Sequence, residues 1–194
     1  MSYLQGMEAH EAVSTKQDLR RRLRSLGREL ITEPDRVRWS SSIVEQLRRD
    51  HLWCEAQHVG LYSALPDEPC LEALIDEVVG VKSVYLPRVL GEEEMAFYPF
   101  VSWDSLERSR SFGLYEPTLD HKAVAPEQLD LLIIPALAFD SEGYRLGRGK
   151  GYYDRYLAQT KARRIGVSFG LLRPHHLPTE PWDLPMDRVY YPLH

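Results

Sequence analysis

Residues 130–139 read DLLIIPALAF, a run with no polar position between Leu131 and Phe139. A strand with one wet face alternates apolar with polar residues. This run therefore describes a strand covered on both faces, and sheets covered on both faces are mostly parallel and wrapped by helices. Two shorter runs, HVGLYSA (58–64) and RIGVSF (164–169), read the same way. Helical patterns lie between and before them. Thr15 can cap a first helix with Asp18 in its opening turn, and Leu19, Leu23, Leu26 and Leu30 follow at helical spacing. Pro34 suits the first turn of a second helix carrying Val37, Ile43, Val44 and Leu47. Leu71, Leu74, Ile75, Val78 and Val79 mark a third. SVYLP (83–87) and MAFYPF (95–100) are predicted as strands interrupted or ended by proline, around a turn at Gly91. Residues 101–128 are the least regular stretch, and a loop that long in a compact domain is usually functional or mobile. Strands alternating with helices give an α/β fold with a mostly parallel sheet.

At 194 residues and 43% apolar content the chain is sized for one domain with its own core. Residues 15–194 are assigned to that domain and residues 1–14 to a disordered leader. The formal net charge of −5 argues against nucleic-acid and anionic-membrane partners, so any anion must be held by a local basic pocket. No apolar run is long enough to span a bilayer, and the start lacks the basic and apolar regions of a secretory signal. Cys54 and Cys70 have no metal-ligand or CxxC spacing. Two thiols without a disulfide framework suit a reducing compartment, and the cytoplasm is the expected location.

The chemistry concentrates in GYRLGRGKGYYDR (143–155), which follows the buried strand and leads into a helix. That junction is where open α/β sheets place their ligands. Gly147, Gly149 and Gly151 alternate with Arg148 and Lys150, and Arg145 precedes them. Glycines let backbone N–H groups approach a phosphate closely, and the basic residues supply charge. Two familiar motifs do not apply. A Walker A loop needs Ser or Thr after GK, where this chain has Gly151, and a dinucleotide fingerprint is GxGxxG, where this chain has GxGxG. On the residues alone, a solvated basic turn and an anion site both remain open.

RLGRGKGYYDR resembles the signature of the 5-formyltetrahydrofolate cyclo-ligase family. KQDLR (16–20) is similar to that family's N-terminal Lys-x-x-Leu-Arg, which contacts ATP. YSALPDE (62–68) is similar to its folate-contacting segment, and LYEP (114–117) and DLLIIPALAFD (130–140) match in order. The resemblance covers most of residues 16–190; Leu71 departs from it, standing where the family usually has Thr.

The resemblance implies a three-layer α/β sandwich akin to the sugar-phosphate isomerase and CoA-transferase group. It also implies a reaction in which ATP, Mg²⁺ and 5-formyltetrahydrofolate give 5,10-methenyltetrahydrofolate, ADP and phosphate. The alternatives are a non-catalytic folate- or nucleotide-binding protein, or an isomerase or transferase of the same fold. The family's ATP contacts would fall on Lys16, Gln17, Asp18, Leu19 and Arg20. They would continue on Arg145, Leu146, Gly147, Arg148, Gly149, Lys150, Gly151, Tyr152 and Tyr153. Its folate contacts would fall on Arg20, Ser63, Glu68, Arg148, Gly149, Lys150, Gly151 and Tyr152. Phosphoryl transfer needs positioning and cations more than a protein nucleophile, which makes Arg148 and Lys150 the expected catalytic pair. Mg²⁺ would lie on Asp154 and Asp187, with Asp183 the nearest competitor for the second position. Arg24 extends the Lys16–Arg20 face by one turn and is expected at the surface. Small molecules are the expected partners, and a monomer the expected state.

Overall fold

In a computed structural model of the chain, residues 15–109 and 113–193 are described. The expected leader at 1–14 lies outside them, as does Phe112. The first helix, α1 (Lys16–Leu30), begins as anticipated: the Thr15 side chain accepts from the Asp18 amide. Leu19 and Leu23 are buried, but the stripe then passes to Gly27 while Leu30 is exposed. The last turn of α1 buries Gly27 and leads into Ile31, which packs against the core, while Leu30 faces solvent. In α2 (Glu33–Arg49), Thr32 is the cap and Ile43, Val44 and Leu47 form the buried face; Val37 stays exposed. Asp50 ends α2 and caps a short α3 (His51–Glu55) by accepting from the Leu52 amide. No helix among the described residues is long and apolar enough to cross a membrane.

The remaining elements are β1 (His58–Gly60), α4 (Glu72–Val78), β2 (Ser83–Val89), β3 (Met95–Pro99), β4 (Leu106–Arg108) and β5 (Tyr115–Pro117). They are followed by β6 (Leu131–Pro135), β7 (Ala138–Phe139), β8 (Arg145–Leu146), α5 (Tyr152–Leu157), β9 (Arg163–Val167) and β10 (Arg188–Tyr190). Six strands form one sheet in the order β10-β9-β6-β1-β2-β3. All neighbours are parallel except the β2–β3 hairpin at one edge. The strand at 83–89 runs through Pro87 instead of stopping there. Beyond Tyr85 only β3 flanks it, so Pro87 sits where the strand has an open side and a missing N–H is tolerated. Residues 101–128, expected to be irregular, contain the small antiparallel β4–β5 pair.

The run 131–134 is covered on both faces, as its composition requires. Leu131 and Ile133 pack with Ile43, Leu47, Leu74 and Ile75 of α2 and α4. Leu132 and Ile134 point the other way, into Phe97, Phe139, Tyr156 and Leu157. Leu19 and Leu23 of α1 cover Ala138 and Leu146 of the β7–β8 hairpin in a cluster of their own. The result is three layers, with helices on both faces of a mostly parallel sheet. Leu71 is fully buried at the N-terminus of α4, which consequently has no side-chain cap.

Candidate active site

A cavity opens where the parallel strands end. Tyr62 and Ser63 follow β1, Pro87 and Val89 belong to β2, and Pro135 closes β6. Loop 147–151 and the start of α1 form the opposite wall. The cavity holds about 1060 Å³ of empty space counting its open mouth. Five cationic side chains line it (Lys16, Arg20, Arg145, Arg148 and Lys150) against four acids (Glu68, Glu116, Asp154 and Asp183). The chain carries a net charge of −5, yet this cavity is locally basic. That reversal is what an anionic ligand needs.

The loop owes its shape to two left-handed glycines. Gly149 has φ +96°, and a Cβ on it would stand 3.3 Å from Arg20 Nε. Gly151 has φ +71° and starts α5. Side chains rarely adopt these angles. Arg20 Nε donates to the Gly147 carbonyl at 2.9 Å, and Arg24 Nη2 donates to the Arg148 carbonyl at 2.8 Å. The backbone N–H groups of Arg148 and Gly149 donate to no described residue.

Most charges in the cavity are already paired. Arg148 Nε donates to Glu68 Oε1 at 2.9 Å, and its Nη2 reaches Asp67. Lys16 Nζ meets Asp183 Oδ2 at 2.7 Å, and Arg145 meets Asp154. Lys150 is exposed and makes no ion pair among the described residues. Glu68 is buried, which pushes its carboxyl above the usual range although Arg148 and the Leu65 amide pull it down. Burial likewise raises the Tyr62 and Tyr153 hydroxyls, and the negative charge of Glu68 adds to both. The Arg145 guanidinium lies 5.9 Å from the Tyr153 ring centre, and the Tyr152 hydroxyl donates to the Gly91 carbonyl at 3.0 Å. Burial also raises Glu116, which sits between this cavity and a second groove leading past Arg108.

Thus Lys16, Arg20, Ser63, Glu68, Arg145, residues 147–153 and Asp154 share one cavity. Leu19 and Leu146 instead pack against each other's cluster beneath it. Gln17 and Asp18 face solvent, with Asp18 engaged by Thr15 and Arg21. Asp187 requires a correction. It lies just before β10 and accepts from the Arg164 amide at 2.7 Å, with Arg163 Nη2 at 3.1 Å. Both partners begin β9, and parallel strands put their beginnings at the end of the sheet remote from the cavity. Asp183 faces the cavity in its place. Arg24 is likewise no free surface charge. It was legible as the third member of an i, i+4, i+8 series, and Asp183 as the competitor for the second metal position, whereas nothing singled out Asp67.

A model of the 5-formyltetrahydrofolate cyclo-ligase family matches residues 12–192. The 5-formyltetrahydrofolate cyclo-ligase of Haemophilus influenzae is 34% identical over 139 residues, covering 68% of this chain and 74% of the relative. The mouse protein of the same name is 27% identical over 204 residues, covering 95% and 97%. The solution structure of Aquifex aeolicus 5,10-methenyltetrahydrofolate synthetase superposes with a TM-score of 0.78 at 34% identity, covering 90% of this chain and 88% of that one. A Mycoplasma pneumoniae 5,10-methenyltetrahydrofolate synthetase shares the fold, with a TM-score of 0.73 at 20% identity. With a family model spanning nearly all of its length, and relatives at a third identity over most of it, the chain belongs to the 5-formyltetrahydrofolate cyclo-ligase family.

Proposed function

We propose that the protein closes 5-formyltetrahydrofolate to 5,10-methenyltetrahydrofolate, using ATP and releasing ADP and phosphate. The observation that carries the reading is the Arg148–Glu68 pair. It joins the glycine-rich loop, suited to phosphates, to a buried acid suited to a pterin edge, inside one cavity. Two substrates that must react with each other would then meet.

A formamide oxygen is a poor leaving group. Here it attacks the γ-phosphorus, forming an O–P bond as the bond to ADP breaks. N10 of the folate then attacks the activated carbon, the C–O bond breaks, and phosphate departs with the N10 proton. No protein nucleophile is consumed, which fits a cavity furnished with cations. The Lys150 side chain and the N–H groups of Arg148 and Gly149, all without a described partner, would stabilise charge on the transferring group. Glu68 would accept from the pterin while Tyr152 lies along a flat ring.

Mg²⁺ fits the acids that face this cavity. Asp154 Oδ1 is taken by Arg145 and Asp183 Oδ2 by Lys16, and each carboxylate keeps a second oxygen without a described partner. One or two carboxylates with phosphate oxygens and water is the usual Mg²⁺ set, and the ion would offset charge on the triphosphate. Asp154 and Asp183 are the residues that would hold it. The free thiols Cys54 and Cys70 favour a cytoplasmic location, and the protein is expected to act as a monomer.

The test is spectrophotometric. Methenyltetrahydrofolate absorbance should grow when the protein meets 5-formyltetrahydrofolate with MgATP, and should not grow when ATP is omitted. Binding of both substrates without product would make it a binding protein.

A further inference from the structure

The helix α1 meets the glycine-rich loop along one ridge. Arg20 Nε donates to the Gly147 carbonyl and, one turn on, Arg24 Nη2 donates to the Arg148 carbonyl at 2.8 Å. One turn further, Gly27 lies so close to the neighbouring segment that a Cβ there would stand 3.4 Å from Asp67 Cβ. A single face of α1 therefore touches both the loop and the stretch that carries Glu68. Arg24 does not line the cavity, and its buried Nε has no hydrogen-bond partner among the described residues.

A trans peptide is planar and points its C=O and N–H in opposite directions. Holding the Gly147 and Arg148 carbonyls against α1 turns the N–H groups of Arg148 and Gly149 away from the helix. Those two groups have no described acceptor. Successive unpaired N–H groups on a curled backbone form a concavity for anions. Which peptide faces which way is thus decided by side chains on α1, more than a hundred residues earlier in the chain.

We propose that Arg24 is a positioning residue for the anion-binding loop. It holds the Arg148–Gly149 peptide so that its N–H meets the phosphates, and it touches neither substrate itself. Only the identity of the anion rests on the ligase reading above. A plain structural brace would change the melting temperature and leave the kinetics of folded enzyme alone. A positioning residue changes the kinetics.

Arg24→Met retains the apolar stem and removes the donor, and Arg24→Lys retains a donor. The Met variant should lose on the order of 10²-fold in kcat/KM for ATP, the penalty of a group displaced by about an ångström. Its KM for the folate should stay close to the parent's, and the Lys variant should recover most of the loss. A Met variant with parental kcat and ATP KM overturns the proposal. So does a Lys variant that melts like the parent yet is as impaired as Met. Where the Met variant does not fold, the amide resonances of Arg148 and Gly149 in the parent protein decide. MgADP should shift both, and two unmoved amides overturn the assignment. Shifted amides in a parent protein that forms no methenyl product would leave this proposal standing while the ligase reading falls.

Discussion

Arg148 lies along Glu68, its Nε 2.9 Å from Oε1, although the residues are 80 apart in the chain. The central cation of the glycine-rich loop is thus engaged by the acid expected to read the folate. Glu68→Gln removes the charge and keeps the shape. Losing a charged hydrogen-bond partner in a part-buried site costs about 1–3 kcal/mol. The folate KM of the variant should rise well beyond its ATP KM. Equal changes in both would count against Glu68 as a folate contact.

The same carboxyl should show itself in a pH profile. Burial raises the Glu68 pKa above the ordinary glutamate value, so on acidification it takes up a proton earlier than a surface glutamate. Folate kcat/KM should therefore fall on the acid side, with an inflection above that ordinary value. The inflection should vanish in Glu68→Gln, and its persistence would assign it to another group.

Lys150 and Arg148 should differ. Lys150 is exposed at the cavity with no ion pair among the described residues, whereas Arg148 is held by two carboxylates. A cation free to follow the transferring phosphoryl gains strength in the transition state, so Lys150→Ala should lower turnover by on the order of 10²–10³ at saturating ATP. Arg148→Ala should also impair folate binding, because it leaves Glu68 and Asp67 unpaired. Parental turnover in Lys150→Ala would reduce that lysine to a surface charge.

Asp154→Asn should respond weakly to Mg²⁺, because the amide is nearly isosteric but carries no charge for the ion, and it should melt below the parent because the enclosed Arg145 loses its ion pair. Asp183→Asn should respond as weakly, and Asp187→Asn should leave the Mg²⁺ titration unchanged. A Mg²⁺ response lost only in Asp187→Asn would reverse the assignment of the second ligand.

The central strand and the loop after it were legible because each is a local pattern. Leu131 to Ile134 advertise burial by composition, and alternating glycines advertise a curled backbone. What stayed hidden depends on distant partners. Arg24 and Arg148 are 124 residues apart, and Lys16 and Asp183 are 167 apart. Spacing along the chain cannot distinguish Asp183 from Asp187 when four residues separate opposite ends of a sheet. β4, β5 and β10 have three residues each, too few for alternation to emerge. α3, five residues long, went unassigned because Asp50 ends one helix and starts the next with no break in composition between them.

Asp50 itself should set part of the stability at acid pH. Its side chain is fully enclosed and accepts from Arg188 at 2.9 Å, from the Tyr190 hydroxyl and from the Leu52 amide. Burial alone would raise its pKa, but these donors, Tyr190 foremost, hold it below the ordinary value. A depressed folded-state pKa gives stability that is complete above the unfolded-state value and lost as pH falls through the folded one. Asp50→Asn should therefore cost roughly 1–3 kcal/mol near neutrality and flatten the acid limb of the unfolding curve. An unchanged limb would show that other carboxylates dominate it.

That enclosed carboxylate also imposes an order on manufacture. Asp50 leaves the ribosome early, while the guanidinium and hydroxyl that satisfy it follow 138 and 140 residues later. Until then the corner between α2 and α3 cannot close dry without stranding a charge. The corner around Asp50 must stay hydrated and open to proteases until β10 arrives. A released chain truncated just before Arg188 should be cut near residue 50, and the same bond should resist cleavage in the full chain.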